Sequence, residues 1–239
     1  DGLLYAGEVG VQLTWMDAKV DDWVVTPRIG KPVEVNALWY NALRTMAEFA
    51  RRLSKPKREY EAIAERTSAS FSRFWNDCTG YCYDVLDGSD GDDASLRPNQ
   101  IFAVSLPESP LTSVQQQQLV DVCGRMLLTS HGLRSLSPEH PQYQGSYGGD
   151  RLQRDGAYHQ GTVWGWLIGP FAIAHLRVYK NPAMARSFLE PMANHLCDRG
   201  VGSLSEIFDG DAPMTPRGCI AQAWTVAEVL RAWSATFDL

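Results

Sequence analysis

Three features that mark common classes of protein are missing from this chain of 239 residues. It has no run of about 18 apolar residues, and its first residues lack the charged and apolar regions of a secretory signal, so we predict neither a membrane span nor secretion. The five cysteines have no paired Cys-x-x-Cys spacing, which argues against a disulfide framework and a zinc site. We therefore predict a cytoplasmic protein with no bound metal.

Positive charge is also scarce. Lysine and arginine number 22 against 28 aspartate and glutamate residues, for a net charge of −6. Nucleic acids and anionic membranes are bound by clustered cations, so both are excluded as partners. Apolar residues make up 44% of the chain, which is enough to bury a substantial core.

Helical periodicity is the main pattern in the sequence. Apolar residues recur every three or four positions, Pro32 stands before the first such stretch, and Lys55 and Pro56 follow it. No alternation of apolar and polar residues is strong enough to predict a strand. The predicted helices cover residues 33–53, 57–75, 98–106, 111–129, 160–179, 182–198 and 217–235.

The spacing of these helices predicts a repeat. The helices that follow long loops start roughly 60 residues apart, and each except the last is joined by a shorter connection to a second helix. Helical hairpins of this kind place all the long loops at one end of the structure. A closed ring of six would need roughly 360 residues at this spacing. We therefore predict an all-α, (α/α)6 toroid, with residues 1–239 forming an incomplete part of it that lacks the first hairpins.

The long loops are rich in aromatic side chains and in side chains with two hydrogen-bonding atoms. Sugars bind to such mixtures, because aromatic rings stack on the C–H faces of a pyranose and forked polar groups bind its hydroxyls. An isolated aromatic residue at a helix end often only covers the core. Their concentration on one predicted face favours a carbohydrate-binding site.

Two loops also supply carboxylic acids from opposite ends of the chain. Hydrolysis of a glycosidic bond needs one acid to protonate the leaving oxygen and one carboxylate to activate water or attack the sugar. Asp17 lies among apolar residues that would raise its pKa, which suits the acid. Glu206 is the first candidate for the base, and Asp209 is the second.

Five segments give a more specific indication. They resemble, in the same order, the amylo-α-1,6-glucosidase domain of glycogen debranching enzymes, and the similarity extends over essentially the whole chain. The segments are residues 10–19 (GVQLTWMDAK), 26–41 (TPRIGKPVEVNALWYN), 97–100 (RPNQ), 158–164 (YHQGTVW) and 205–224 (SEIFDGDAPMTPRGCIAQAW).

The resemblance implies a toroid that removes the single α-1,6-linked glucose of a branch point with inversion and without a cofactor. The substrate would be a glycogen-like branched glucan, with Asp17 as the acid and Glu206 as the base, their carboxyl groups about 6.5–9.5 Å apart. The remaining expected site residues bind sugar: Trp15, Trp23, Arg28, Asn36, Trp39, Arg97, Asn99, Gln100, His159, Gln160, Trp164, Asp209 and Arg217.

Other functions remain open at this stage. The same toroid would suit another inverting glucosidase, glucoamylase-like or trehalase-like, since a fold does not choose a linkage. A carbohydrate-binding fragment without catalysis is the alternative outside the enzymes. The glucanotransferase activity of eukaryotic relatives has no counterpart in this sequence. Met214 stands where a polar or aromatic residue is expected.

Overall fold

A computed structural model describes residues 1–237 of the chain. Nine α-helices occur in this range, together with three short 3-10 helices at residues 72–74, 98–101 and 165–167. The α-helices are α1 (Val33–Arg52), α2 (Arg58–Phe71), α3 (Phe102–Ser105), α4 (Ser113–Met126), α5 (Arg151–Ala157), α6 (Ile168–Tyr179), α7 (Pro182–Ser187), α8 (Glu190–His195) and α9 (Ala223–Ala235).

Helical hairpins form the body of the molecule, as predicted. Helix α1 packs on α2, and α6 packs on α7, each across a short connection. The first helices of the successive hairpins also contact one another in chain order: α1 contacts α3, α3 contacts α6, and α6 contacts α9. The main core lies between these helices and contains Phe71, Phe74 and Phe171, each at most 1% exposed. None of the helices described is long and apolar enough to cross a membrane.

The prediction of no β-structure is wrong, since the loops contain short strands that pair in antiparallel fashion. Most of these strands are too short for periodicity to reveal them. The strands are β1 (Lys19–Val20), β2 (Trp23–Val24), β3 (Lys31–Pro32), β4 (Trp75–Asn76), β5 (Tyr81–Cys82), β6 (Val85–Gly88), β7 (Gly91–Asp93), β8 (Leu128–Thr129), β9 (Gly132–Arg134), β10 (Val163–Trp164), β11 (Ile207–Phe208) and β12 (Pro216–Arg217).

One sheet joins loops that are distant in sequence. Its five strands lie in the order β12-β11-β10-β9-β8. Trp164 on β10 is opposite Ile207 on β11. The backbone N–H of Gly165 also donates to the carbonyl of Glu206 at 3.1 Å. This sheet therefore brings the loop before α6 against the loop before α9.

Because of the strand pairings in this sheet, two helices begin later in the chain than predicted. The helix predicted from residue 160 begins as a 3-10 turn at Gly165, because β10 holds the preceding residues extended. The helix predicted from residue 217 begins at Ala223, because residues 216–217 form β12. The side chain of Gln222 then caps α9 by accepting a hydrogen bond from the N–H of Trp224.

Two further differences have local causes. The helix predicted over residues 182–198 is divided into α7 and α8, with Pro191 in the first turn of α8, where proline is tolerated because its missing N–H would be unpaired anyway. Helix α5 lies inside the loop predicted for residues 130–158. Its signal is a capping box, in which Asp150 and Gln153 each accept a hydrogen bond from the other's backbone N–H.

Candidate active site

Asp17 lies in an extended segment just before β1. Along Met16, Asp17, Ala18 and Lys19, buried and exposed residues alternate, as in a strand, so the Asp17 carboxyl faces outward and is 67% exposed. Its Oδ1 atom lies 3.6 Å from Nε2 of His159.

The expectation of a raised pKa for Asp17 is wrong for this structure. The nearby His159 imidazole lowers the pKa of the carboxyl, and this effect exceeds the opposing effect of partial burial. The apolar neighbours that suggested a raised pKa point inward, as Met16 does with 1% exposure.

Glu206 immediately precedes β11 and is half-buried. Its Oε1 atom accepts a hydrogen bond from the Tyr158 hydroxyl at 2.7 Å and a longer one from the Gln222 side chain at 3.4 Å. Its Oε2 atom accepts from the backbone N–H of Cys219 at 2.9 Å. Donors from two loops therefore hold the carboxyl group in one orientation.

Each of the two carboxyl groups contacts one of two consecutive residues. Tyr158 binds Glu206, and the next residue, His159, faces Asp17. The imidazole of His159 stacks on Trp164 with centroids 5.0 Å apart and an interplanar angle of 9°. Trp15 meets both rings edge-on at 5.2 Å. We call Trp15, Tyr158, His159 and Trp164 the aromatic cluster.

His159 is buried and has unusual surroundings. Burial lowers its pKa, which favours the neutral imidazole at neutral pH. Neither ring nitrogen has a hydrogen-bond partner among the described residues.

A buried polar network lies beneath the aromatic cluster and contains several of the predicted sugar-binding residues. Asn99 accepts from the Trp15 indole N–H at 2.7 Å and donates to Asp84 at 2.7 Å. Arg97 donates to the His159 carbonyl and to the Gln160 side chain, both at 2.8 Å. These contacts support the cluster from within the protein.

Arg28 and Gln100, also predicted to bind sugar, are buried and bonded to neighbouring protein groups. The Arg28 guanidinium forms ion pairs with Glu34 and with Asp84 and is 6% exposed. Burial acts to lower its pKa, but the two carboxylates more than offset this and raise it. Gln100 accepts from the Cys82 N–H at 3.0 Å and is 2% exposed.

Asn36 and Trp39 lie on α1 and hold the N-terminal segment. The Asn36 side chain pairs with the backbone N–H and carbonyl of Leu4 at 2.7 and 3.1 Å. The Trp39 indole donates to the Gly2 carbonyl at 3.1 Å. These contacts tie the N-terminal segment to α1. Among the described residues, no hydrogen bond links either side chain to the aromatic cluster.

Asp209 and Arg217 form an ion pair across β11 and β12. Both Nε and Nη2 of Arg217 donate to Oδ2 of Asp209, at 3.1 and 3.0 Å. Oδ1 of Asp209 accepts from the backbone N–H of Tyr147 at 2.7 Å. Asp209 therefore has both oxygens engaged, unlike the exposed carboxyl of Asp17.

Trp23 lies at a cavity that none of the four residues of the aromatic cluster lines. Its side chain is 46% exposed. Together with Arg97 and Gln160 it lines a cavity of about 490 Å³. An exposed indole beside amide groups is suited to stacking on a sugar ring.

The list of predicted site residues did not include Tyr158, Asp84 or Gly218. A Cβ atom on Gly218 would lie 2.3 Å from Oε2 of Glu206, so a side chain at this position would displace the carboxyl group. Tyr158 lies inside a segment that carries the family resemblance and was available from the sequence. The contacts of Asp84 had no sequence signal.

Two remaining observations complete the site. No group of three side chains suited to metal binding is found among residues 1–237. Met214 has a left-handed backbone with φ of 55°, and its sulfur lies 3.7 Å from the Ser130 hydroxyl. Nothing in the structure explains why methionine stands there.

Solved structures of glycoside hydrolases share this fold. The chain is 18% identical to the GH63 mannosylglycerate hydrolase of Thermus thermophilus in complex with glucose, covering 85% of this chain and 48% of that chain, with a TM-score of 0.65. The chain is 16% identical to the GH15 glucoamylase of Hypocrea jecorina, covering 94% of this chain and 45% of that chain, with a TM-score of 0.57. It is 15% identical to the neutral trehalase of Saccharomyces cerevisiae, covering 87% of this chain and 38% of that chain, with a TM-score of 0.58. The chain thus spans less than half the length of each.

The family assignment comes from the sequence. The family model for amylo-alpha-1,6-glucosidase matches residues 1–231, and this range contains both Asp17 and Glu206. The helical fold agrees with glycoside hydrolases of known structure. The chain therefore belongs to the amylo-α-1,6-glucosidase family of glycoside hydrolases.

Proposed function

We propose that this chain carries the catalytic acids of an inverting α-1,6-glucosidase that removes the glucose left at the branch points of a glycogen-like glucan. The observation that carries the proposal is the contact of two carboxyl groups from opposite ends of the chain with adjacent residues, Tyr158 and His159. Inversion needs such a pair, placed far enough apart to admit water beside the sugar.

Asp17 is the general acid in this proposal. Its exposed carboxyl group is open to a substrate, and the neighbouring aromatic rings are suited to packing on a glucose ring. In the free protein the pKa of Asp17 is lowered. A bound sugar that displaces water from the carboxyl raises this pKa, because burial disfavours the charged form, and so prepares it to donate a proton.

Glu206 is the general base. It accepts a proton from the water that attacks the anomeric carbon, while Tyr158 and the Cys219 N–H keep its oxygens in place. As the oxygen of this water bonds to the anomeric carbon, the glycosidic C–O bond breaks and Asp17 protonates the departing oxygen. The reaction calls for no cofactor.

The other predicted residues divide into two groups under this proposal. Trp15, Trp23 and Arg217 are partly exposed and are those proposed to contact sugar. The others support them from the interior: Arg28, Asn36, Trp39, Arg97, Asn99, Gln100, His159, Gln160, Trp164 and Asp209. The second assignment follows from their burial or from their hydrogen bonds to other parts of the protein.

We also propose that residues 1–239 form part of an (α/α)6 toroid in a cytoplasmic enzyme. The support is the arrangement of α1, α3, α6 and α9, each in contact with the next along the chain. Further helical hairpins would continue this row of helices into a ring around the site.

Product analysis with the complete natural protein tests the function. We expect free glucose from a glucan with single α-1,6-linked glucose branches, appearing first as the β-anomer in the proton NMR spectrum. Faster hydrolysis of linear α-1,4 oligosaccharides or of trehalose would instead assign a glucoamylase-like or trehalase-like enzyme. Binding of the glucan without any hydrolysis would indicate a carbohydrate-binding protein.

A further inference from the structure

Asp84 is a carboxylate at the centre of the buried network, outside the set of residues assigned to the reaction. It is 2% exposed and lies immediately before β6. Its Oδ2 atom accepts from Nε of Arg28 at 2.7 Å, and its Oδ1 atom accepts from Asn99 at 2.7 Å. Its backbone carbonyl accepts from the N–H of Val33, the first residue of α1.

One route leads from Asp84 to the segment that carries the proposed acid. Asn99 donates to Asp84 through its amide nitrogen and accepts from the Trp15 indole through its amide oxygen. The charge on Asp84 therefore fixes which way the Asn99 amide faces, because a carboxylate accepts hydrogen bonds but cannot donate them. Trp15 stands two residues before Asp17.

A second route leads from Asp84 towards Tyr158 and His159. Nε of Arg97 lies 3.9 Å from Oδ2 of Asp84, and the rest of that guanidinium donates to the His159 carbonyl and to Gln160. Removing the negative charge would leave Arg97 without its nearest ion-pair partner. Asp84 thus contacts a support of the Asp17 segment and a support of His159, the residue that faces Asp17.

Glu34 provides a natural comparison within the same network. It is also buried, at 4% exposure, and pairs with the same Arg28 guanidinium. Its side-chain carboxyl group accepts hydrogen bonds from Arg28, and none from Asn99 is found among the described residues. Glu34 therefore shares the charge environment of Asp84 without the link to Trp15.

We propose that Asp84 is a positioning residue for the proposed acid: through Asn99 it holds the Trp15–Asp17 segment, and through Arg97 it holds the backbone of His159, which faces Asp17. The inference rests on the proposed glucosidase function for its catalytic consequence. Its structural part, control of the Trp15 indole by Asp84, is independent of that function.

The test compares Asp84→Asn with Glu34→Gln in the complete natural protein. Each change removes one buried negative charge and keeps the side-chain size. A small displacement of a proton donor can slow catalysis about 100-fold. We expect Asp84→Asn to lose about tenfold or more in kcat on a branched α-1,6 oligosaccharide but less than about threefold on α-glucosyl fluoride, whose departure needs little protonation. Glu34→Gln should affect both substrates equally.

A second measurement follows the Trp15 indole N–H by nuclear magnetic resonance, with Trp15→Phe used to assign its signal. Asp84→Asn should shift this signal, and Glu34→Gln should leave it in place. If Asp84→Asn does not fold, Asn99→Ala breaks the same link without removing a charge and should give both the shift and the substrate-selective loss.

The outcomes separate the two proposals. Equal losses on both substrates, or an unmoved Trp15 signal in a folded variant, would overturn the positioning role. A wild-type protein that hydrolyses neither substrate would refute the proposed function, and the Trp15 signal would still decide whether Asp84 controls this segment.

Discussion

The hydroxyl of Tyr158 donates a 2.7 Å hydrogen bond to Glu206, and this bond joins the loop before α6 to the loop before α9. The next residue, His159, faces Asp17 across 3.6 Å. Two consecutive residues thus contact carboxyl groups that are 189 positions apart in the chain. The predictions below depend on this arrangement.

Asp17 and Glu206 should respond differently to the leaving group. Asp17→Asn is expected to slow oligosaccharides with poor leaving groups far more than α-glucosyl fluoride, because fluoride departs with little protonation. Glu206→Gln should slow both, since attacking water needs a base whatever leaves, and such help is typically about 10²–10⁴-fold. Steady-state kinetics on both substrates makes the comparison.

Azide offers a control for this assignment. It attacks without losing a proton, so it should restore some turnover to Glu206→Ala and give a β-configured product from an α-linked substrate. Near-normal activity in Glu206→Gln, with equal losses on both substrates in Asp17→Asn, would contradict the assigned roles. Asp209 would then be the next base to test.

Tyr158→Phe should lower kcat/KM by about tenfold or more while the protein stays folded. The change removes a hydrogen bond to a carboxyl group, worth about 1.5–3 kcal/mol when the acceptor is charged, and keeps the ring that packs on Trp164. The matched control is Tyr179→Phe, which removes an exposed hydroxyl bonded to Asp121. Equal kcat/KM for the two variants would count against a role for Tyr158 in orienting Glu206.

Gly218→Ala tests how closely the backbone approaches Glu206. The residue has φ of 64°, and an added Cβ would lie 2.3 Å from Oε2 of Glu206 and 2.9 Å from Cγ1 of Ile207. Left-handed backbone costs a non-glycine residue about 1–2 kcal/mol, and the contact adds displacement of the carboxyl group to that cost. We expect a loss of both stability and kcat.

Gly80→Ala is the control for backbone strain alone. Gly80 has a similar φ of 74°, but a Cβ there would meet nothing within 4 Å. Its variant should lose stability by a comparable backbone cost and keep its kcat. If both variants lose kcat, and the loss in each follows its decrease in the free energy of unfolding, Gly218 acts only through stability.

The fold should lose stability as the pH falls below about 6.5, the usual pKa of an unfolded histidine. Burial lowers the pKa of His159, so between its two pKa values the unfolded chain binds more protons than the folded one. Stability is therefore complete above pH 6.5 and declines as the pH falls through the folded pKa. The same direction applies to His131, His140 and His175.

Denaturant unfolding at pH 7 and pH 5 measures this effect. His159→Gln removes the titrating group, so its free energy of unfolding should fall less between these pH values than that of the wild type. An identical fall in both proteins would assign the acid sensitivity to other groups.

Local sequence patterns determined much of the fold. Apolar residues at helical spacing predicted α1 and α2 within about five residues of their ends, because the apolar face of a helix must meet the core. A different local signal, the capping box at Asp150 and Gln153, marks the start of α5 in the sequence. The segments with family resemblance also contain Asp17, Tyr158 and Glu206, so the sequence alone predicted the region of the candidate site.

Tertiary structure decided how the side chains are used. Arg28, predicted to bind sugar, instead pairs with Glu34 and Asp84 in the interior, since a buried guanidinium needs carboxylates to balance its charge. The pKa of Asp17 is lowered because His159, 142 positions further along the chain, lies beside it. Contacts between residues so far apart depend on how the loops pair in space, and local periodicity carries no information about that pairing.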